Sequence, residues 1–343
     1  MRAVAVAFTG SGEELRRRSR RDFLINVVLG GLYTPVARRH TADYLASRTT
    51  IDGAPIEHVP VARRRWPAIV LVAAFVALRV ADEFGHGPPL PLLIVGAVLF
   101  FPVLWTTAAA RTIDAIQWRG MRLTFEAPMA EVYRASWPLL LLGVAWAFAQ
   151  PQVAARAAAA SMTDLQWLLG TAAAAAVAWP LLAWQAFNLR RLRFTHTRLA
   201  QAPIAWAARL PAYLRQCFLS GVVLLATAVA PVLLLRTVLF GSLTLQRLPV
   251  TEAALVYGAA FVLLLALSAP ARAWHEARMH VLTWDGLRVT GTARIDCVLD
   301  VRTFVRLRTL DAWRTIGTLG WHRAQAVVRA YQAKLASLRV WVE

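Results

Sequence analysis

Residues 274–280 read WHEARMH, which comes closer to a metal-binding motif than any other stretch of the sequence. Zinc proteases of the HExxH type need two histidines four residues apart on one helical face, with a glutamate beside the first. Here His275 and His280 are five residues apart, so a helix would place them about 140° from each other. We therefore predict no metal or cofactor site and interpret these histidines as part of a polar patch at a membrane interface.

Other residue patterns that could support catalysis or phosphate binding are incomplete. The segment GSGEEL at 10–15 lacks the lysine of a phosphate-binding loop, and its glycines predict a turn before the arginine-rich residues 16–21. The acids Asp82, Glu83 and Glu252 lie at the ends of apolar runs, which indicates a hydrated interface rather than a proton pathway through a membrane. Because no nucleophile, base and orienting group come together, we predict no catalytic residue and no enzyme.

The composition of the chain is typical of a membrane protein. Of 343 residues, 58% are hydrophobic and the mean hydropathy is +0.49, whereas soluble domains are about 45–50% apolar. The net charge of +19 would by itself suggest a nucleic-acid partner. Lysine and arginine also accumulate on the cytoplasmic side of membrane proteins, so the position of the charges decides between the two interpretations.

Six apolar stretches predict transmembrane helices. Five are free of charged residues and run for about 19–23 residues, close to the ~20 that cross a bilayer core. The sixth is interrupted by Arg79 near one end, where the side chain could reach the interface. The predicted spans are 66–81, 89–110, 135–155, 165–187, 217–235 and 253–271.

The distribution of basic residues predicts that both termini face the cytoplasm. If the amino terminus is inside, the segments on that side hold 34 of the 38 lysines and arginines. The outer segments keep only Arg79, Arg156, Arg236 and Arg247. The net charge is then a signal of topology, so we expect anionic lipid headgroups on the cytoplasmic side as partners and no nucleic acid.

The cytoplasmic segments share a pattern that predicts β-hairpins. Alternating apolar runs flank Asp52-Gly53, Arg119-Gly120 and Asp285-Gly286, and such pairs are typical of tight hairpin turns. A fourth segment at 189–208 has a similar pattern without a glycine. Four hairpins on one side of the membrane could join into a small sheet, because a single hairpin is marginally stable in water.

The segment RRDFLINVVLGGLYTPVARR at 20–39 is apolar but too short to span a membrane comfortably. Its sixteen central residues would cover ~24 Å as a helix, against a hydrocarbon core of ~30 Å. Gly30 and Gly31 predict a bend in the middle, and Pro35 predicts a break near the end. We interpret the segment as a re-entrant or interfacial hairpin whose two arginine pairs share the cytoplasmic side.

The carboxyl-terminal tail repeats the spacing of this segment. Gly30 precedes Tyr44 by 14 residues, and Gly317 precedes Tyr331 by the same 14. The tail copy is much more polar, and we expect it to stay on the membrane surface while the first copy enters the bilayer.

These residues resemble the YjgN-like family of bacterial inner-membrane proteins, which is described as a domain of unknown function. The resemblance covers most of the chain, with its specific motifs in residues 8–58, and it departs from the family pattern at Val36, where the family has tryptophan. It implies an inner-membrane location and no particular reaction. The candidate site residues are those that carry the family signature, and we call them the signature residues: Gly10, Gly12, Asn26, Gly30, Gly31, Tyr33, Pro35, Arg38, Arg39, Tyr44, Asp52 and Gly53.

The predicted fold is an all-α integral membrane protein with about six transmembrane helices, repeated cytoplasmic β-hairpins and interfacial amphipathic helices. Residues 1–65 form the cytoplasmic or re-entrant signature segment with its hairpin, 66–271 the transmembrane region, and 272–343 a cytoplasmic hairpin and amphipathic tail.

The sequence leaves two functions open. The repeats and the prolines within apolar runs, such as Pro102 and Pro231, favour transport or permeation of a small or amphipathic solute. The basic cytoplasmic face favours a non-enzymatic membrane scaffold or envelope-associated protein that binds anionic lipid or a partner protein. Substrate, protein partner and oligomeric state are not predicted.

Overall fold

A computed structural model describes residues 2–30, 33–59, 72–74, 76–78, 80, 90–158, 164–200, 202–240, 249–291 and 293–342. The chain divides into two compact units, which we describe separately. The first unit comprises Met1–His58 and Ala207–Glu343, and the second comprises Val59–Trp206.

The first unit combines short strands with helical hairpins. It begins with β1 (Arg2–Val4), β2 (Val6–Phe8), α1 (Gly12–Val28), α2 (Thr34–Ser47), β3 (Thr49–Ile51) and β4 (Ala54–His58). It continues after the second unit with α7 (Leu210–Leu224), a π-helical turn (Leu225–Val229), α8 (Ala230–Phe240), α9 (Val250–Leu267) and α10 (Ala269–Trp284). The last elements are β9 (Leu287–Val289), β10 (Ala293–Cys297), α11 (Val301–Gly317), α12 (Arg323–Ala336) and β11 (Leu338–Val342).

The second unit has the same kinds of element in a simpler order. It contains α3 (Leu90–Asp114), β5 (Ile116–Trp118), β6 (Met121–Phe125), α4 (Met129–Ala135), α5 (Trp137–Ala158), α6 (Asp164–Thr195), β7 (Thr197–Leu199) and β8 (Ala202–Ala205). Its core lies where the ends of α3 and α6 meet the strands, around Ala110, Ile113, Phe125 and Val132.

The strands correct the prediction of an all-α fold, because they pair beyond their own hairpins. In the first unit β11 lies between β1 and β10 and β10 also pairs with β9, while β2 pairs with β3 and β3 with β4. In the second unit β6 lies between β5 and β7, and β7 pairs with β8. All of these pairs are antiparallel, so the described part of the chain is mainly helical with a substantial β component.

Antiparallel strand pairs occur in all four segments where hairpins were predicted, but one turn lies elsewhere. Asp52-Gly53 and Arg119-Gly120 connect their strands with positive φ at both residues, as a two-residue hairpin loop requires. The prediction for Asp285-Gly286 is wrong: these residues end α10 and precede β9. The turn that follows β9 includes Gly291 with φ +68°.

Four described helices are long and apolar enough to cross a membrane, or five if one bent pair is counted. The four are Pro91–Asp114, Leu169–Thr195, Leu210–Leu235 and Ala254–Trp284. The fifth would be α4 with Trp137–Val153, which meet at an angle of 59°. Four or five of the six predicted spans therefore have a matching helix among the described residues, and most of the predicted span 66–81 lies outside them.

The segment at 20–39 is a helical hairpin. α1 ends at Val28, and Gly30 has the positive φ of +55° that a sharp turn favours. Pro35 lies in the first turn of α2, where proline is well tolerated, so it starts a helix rather than breaking one. Gly31 lies outside the described residues. The tail copy, α11 and α12 joined at 318–322, has the same helix–turn–helix form.

Candidate functional site

A cavity of about 580 Å³ opens in the first unit between α1, α2 and the start of α12. Four of the residues around it are arginines, namely Arg16, Arg20, Arg38 and Arg323, and one is an acid, Asp22. Most of the remaining surface is apolar and comes from Leu15, Phe23, Leu24, Trp321, Ala324 and Val327. We call this space the arginine cavity. Its combination of excess positive charge and apolar walls is suited to an anionic molecule with an apolar part.

Three of the four cavity arginines form no ion pair within the described part of the chain. These are Arg20, Arg38 and Arg323. Arg16 pairs weakly with Glu13 inside α1, with 4.0 Å between Nη2 and Oε1, and its Nε atom is buried without a hydrogen-bond partner. Instead, the guanidinium groups of Arg16 and Arg20 lie 5.8 and 5.2 Å from the ring centroid of Trp321. These guanidinium groups can therefore still donate hydrogen bonds to a bound anion.

The one carboxylate of the cavity already has a partner. Oδ2 of Asp22 lies 2.9 Å from Nδ1 of His40, and only 8% of Asp22 is exposed. Asp22 therefore links α1 to α2 and is not directed at neutralising the arginines. The distance between these two helices is set by this contact at one end and by Tyr44 at the other.

Tyr44 connects the start of α1 to the end of α2 from a position that is 2% exposed. Its hydroxyl accepts a hydrogen bond from the Ser11 N–H at 2.9 Å and lies 3.0 Å from the Ser11 carbonyl oxygen and 3.1 Å from Glu14 Oε2. Glu14 in turn pairs with Arg48. The hydrogen bond from Arg48 lowers the pKa of Glu14 and raises that of Arg48, whereas burial raises the pKa of Tyr44.

Two glycines of the signature allow this close packing. A Cβ at Gly10 would lie 2.4 Å from Phe8 Cζ and 2.8 Å from the Tyr44 hydroxyl oxygen. A Cβ at Gly12 would lie 2.8 Å from Cα of Gln325 in α12. All three distances are too short for a Cβ atom, so α1 can start against α2 and α12 only where these residues are glycine.

The signature residues are thus divided between the cavity and its supports. Asn26 and Arg38 line the cavity, and Asn26 Oδ1 also accepts from the Thr34 hydroxyl at 3.0 Å. Gly10, Gly12 and Tyr44 hold α1, α2 and α12 together, and Tyr33 begins α2 as its N-cap residue. The others lie elsewhere: Arg39 is 3.9 Å from Asp43, Asp52 is 3.4 Å from Arg2, and Gly53 occupies the β3–β4 turn.

Several cavity residues were not among the predicted ones. Arg16 and Arg20 are four residues apart and so share a helical face, a signal that was present in the sequence. Trp321 and Arg323 come from the other end of the chain. Their place in the cavity depends on α12 packing against α1, which no local pattern indicates.

The histidines of WHEARMH have separate contacts. His275 Nδ1 lies 2.8 Å from the Ser220 hydroxyl of α7, whereas His280 Nε2 lies 3.4 Å from the Ser337 hydroxyl beyond α12. Across the described ranges, no three His, Cys, Asp or Glu side chains are close enough to share a metal ion.

A second polar feature lies at the bend between α4 and α5 in the second unit. Ser136 is fully buried at this bend, and its hydroxyl has no hydrogen-bond partner within the described part of the chain. Gln185 of α6 is 5% exposed, and both atoms of its amide likewise lack partners there. Asn188, one turn further along α6, donates to the Ala135 carbonyl oxygen at 3.1 Å, which places this face of α6 against the bend.

Comparison with known proteins identifies a family without assigning a reaction. Neither the curated proteins nor the solved structures contain a significant match to this sequence. A family profile described as "Bacterial protein of unknown function (DUF898)" matches residues 3–343. Because that match includes both units and every residue of the arginine cavity, the chain belongs to the DUF898 family of bacterial proteins.

Proposed function

We propose that this chain is a multi-pass protein of the bacterial inner membrane, with both termini in the cytoplasm, that binds an anionic amphiphile in the arginine cavity. The observation that supports this proposal is the group of four arginines around an otherwise apolar space. The role is non-enzymatic, and the bound molecule is a constituent of the membrane or a solute that partitions into it.

The charge and shape of the cavity favour a phosphate headgroup over a simple carboxylate. Guanidinium groups bind phosphate oxygens through paired, charge-assisted hydrogen bonds. Arg16, Arg20, Arg38 and Arg323 approach the space from α1, α2 and α12, so several oxygens of one anion can be bound together. Phe23, Leu24 and Trp321 supply apolar surface for the part of the ligand next to the charge.

Native mass spectrometry of the purified chain in detergent tests this proposal with phosphatidylglycerol as the probe. We expect the double variant Arg38→Gln, Arg323→Gln to bind this lipid at least tenfold more weakly, since each charged hydrogen bond contributes about 1.5–3 kcal/mol and 1.4 kcal/mol is a factor of ten. The matched control is Arg302→Gln, Arg306→Gln, which removes two exposed arginines of α11 outside the cavity.

Equal weakening in both double variants would mean that general charge attracts the lipid, and the proposal would then be wrong. Two competing probes separate the possible sources of the ligand. Phosphatidylcholine carries the same chains without net charge, and inorganic phosphate carries charge without chains. We expect phosphatidylglycerol to bind more tightly than either.

A second function, permeation of a small polar solute, is favoured by the bend in the second unit. Buried polar groups without partners are costly in an apolar helix bundle, and broken helices form the substrate sites of many transporters. Ser136 and Gln185 are such groups beside the bend between α4 and α5. If the chain transports solutes, purified protein in sealed vesicles will accelerate the flux of a small polar solute such as glycerol, and Gln185→Leu will abolish that acceleration.

A further inference from the structure

We infer that the tip of the α11–α12 hairpin, residues 318–322, enters the cytoplasmic leaflet of the bilayer beside α9. The inference rests on the proposed membrane-spanning role of α9 and adds a second, re-entrant element from the carboxyl-terminal tail. It differs from the expectation that the polar tail stays on the membrane surface. The exposed apolar side chains of the tip contact lipid at the boundary between the headgroups and the hydrocarbon.

Two contacts determine the direction of α11 relative to the candidate span. The Arg308 side chain donates to Glu276 Oε2 at 3.0 Å, and the Trp313 Nε1–H donates to the Ala266 carbonyl oxygen at 2.9 Å. From Arg308 to Trp313 the residue number rises along α11, whereas the residue that each contacts falls from Glu276 in α10 to Ala266 in α9. α11 therefore runs antiparallel to α9 and α10. The carboxyl end of α11 therefore points toward the apolar middle of the span Ala254–Trp284.

The tip lies deeper in the membrane than Trp313, because the end of α11 extends beyond Trp313 in the same direction. Ala266 is six residues before Arg272, the first charged residue after the uncharged stretch of this span. Trp313 thus already lies alongside apolar helix. Leu319 comes six residues later, which corresponds to up to about 9 Å of further helical rise.

The side chains of the tip are suited to lipid. Leu319 is 89% exposed and Trp321 is 55% exposed, although both are large and apolar. Phe23 of α1 is next to this tip, because a Cβ at Gly320 would lie 3.8 Å from its ring, and Val28 at the end of α1 is 83% exposed. The guanidinium groups of Arg16 and Arg20 lie over Trp321, and long arginine side chains can extend from an apolar position toward the lipid phosphates.

The backbone of the tip is also compatible with a lipid environment. In hydrocarbon each N–H group needs a partner within the protein. The N–H groups of Thr318, Leu319, Gly320 and Trp321 donate to carbonyl oxygens of Arg314, Ile316, Thr315 and Thr318, respectively. The backbone N–H of His322 donates to the Thr318 hydroxyl. Nε2 of the His322 ring lies 3.2 Å from Oδ1 of the buried Asp311. The turn between the helices therefore leaves none of these five donors for water.

Spin labels at single cysteines measure the depth of the tip directly. In a background with Cys217→Ala and Cys297→Ser, the chain is reconstituted into phosphatidylcholine vesicles with a label at one of four exposed apolar positions, Val298, Leu310, Leu319 or Phe261. Accessibility to oxygen, which partitions into lipid, is compared with accessibility to a water-soluble nickel chelate. We expect depth to increase from Val298 through Leu310 to Leu319.

Phe261, in the middle of α9, reports whether the span itself crosses the bilayer. A label at Leu319 that is as accessible to the nickel chelate as the label at Val298 would overturn the inference while Phe261 remained in lipid. A water-accessible Phe261 label would overturn the inference together with the membrane-spanning part of the proposed function. The vesicles contain no anionic lipid, so the result is independent of ligand binding in the arginine cavity.

Discussion

At the scale of single residues, the structure assigns the signature motif mainly to the support of a site. Tyr44 and Glu14 fix the start of α1 against the end of α2, while Asn26 and Arg38 reach the cavity itself. A motif that is recognisable in the sequence therefore contains residues with two different tasks. Substitutions within it should separate into those that change stability and those that change ligand binding.

The ion pair between Glu14 and Arg48 predicts a dependence of stability on pH. The hydrogen bond from Arg48 holds the pKa of Glu14 below its usual value of 4.5 in the folded chain. A carboxylate with a lowered folded-state pKa stabilises the fold at pH values above its unfolded pKa, and this contribution disappears as pH falls through the folded pKa. We expect Glu14→Gln to lower the thermal midpoint at pH 7, and we expect this difference to shrink as the pH falls from 7 toward 3.

The comparison is made by thermal unfolding in detergent across this pH range. Glu13→Gln is the matched control, because Glu13 is a more exposed neighbour that pairs with Arg17 within the same helix at 3.0 Å. If Glu14→Gln and Glu13→Gln gave the same pH profile, the contact with Arg48 would not be the source of the effect.

At the scale of elements, the arginine cavity exists because three helices start or end close together. The start of α1 contacts α2 through Tyr44 and α12 through Gln325. Tyr44 packs against Gly10, and Gln325 packs against Gly12. Leu15, Tyr44, Ala324 and Val328 form the buried cluster beneath. The cavity is therefore as rigid as this junction, and a change that separates the helices should also loosen the site.

Gly10→Ala tests the junction. The added methyl group would overlap the ring of Phe8 and the Tyr44 hydroxyl, so we expect a loss of about 1–3 kcal/mol, measured as a lower thermal midpoint. Gly317→Ala is the control in the same unit, because a Cβ there would meet nothing within 4 Å. Equal midpoints for the two variants would show that the close approach at Gly10 does not contribute to stability.

At the scale of the whole molecule, the proposed topology accounts for the charge of the chain. Both units carry strand pairs near the ends of apolar helices, and the basic residues concentrate in the same segments. If these segments lie in the cytoplasm as proposed, the arginine cavity faces the cytoplasmic leaflet. The anionic lipids of that leaflet attract basic groups.

Cysteine labelling in intact cells checks this topology. With both native cysteines replaced, Ser19→Cys and Thr41→Cys should resist a membrane-impermeant maleimide until the cells are permeabilised. Gln246→Cys, between the predicted spans 217–235 and 253–271, should react without permeabilisation and serves as the positive control. Labelling of Thr41→Cys alone from outside would mean that residues 20–39 cross the membrane.

The sequence by itself determined the features that depend on neighbouring residues. Long uncharged stretches indicated membrane helices because hydropathy is a property of one segment, and Asp52-Gly53 indicated a hairpin turn because its positive φ angles are local. Asp285-Gly286 carried the same local signal but ends a helix, since the pairing of β9 with β10 places the turn at Gly291. Only the tertiary structure decided the arginine cavity, because Arg16 and Arg323 come together through the packing of α1 against α12, and no property of either segment alone specifies that contact.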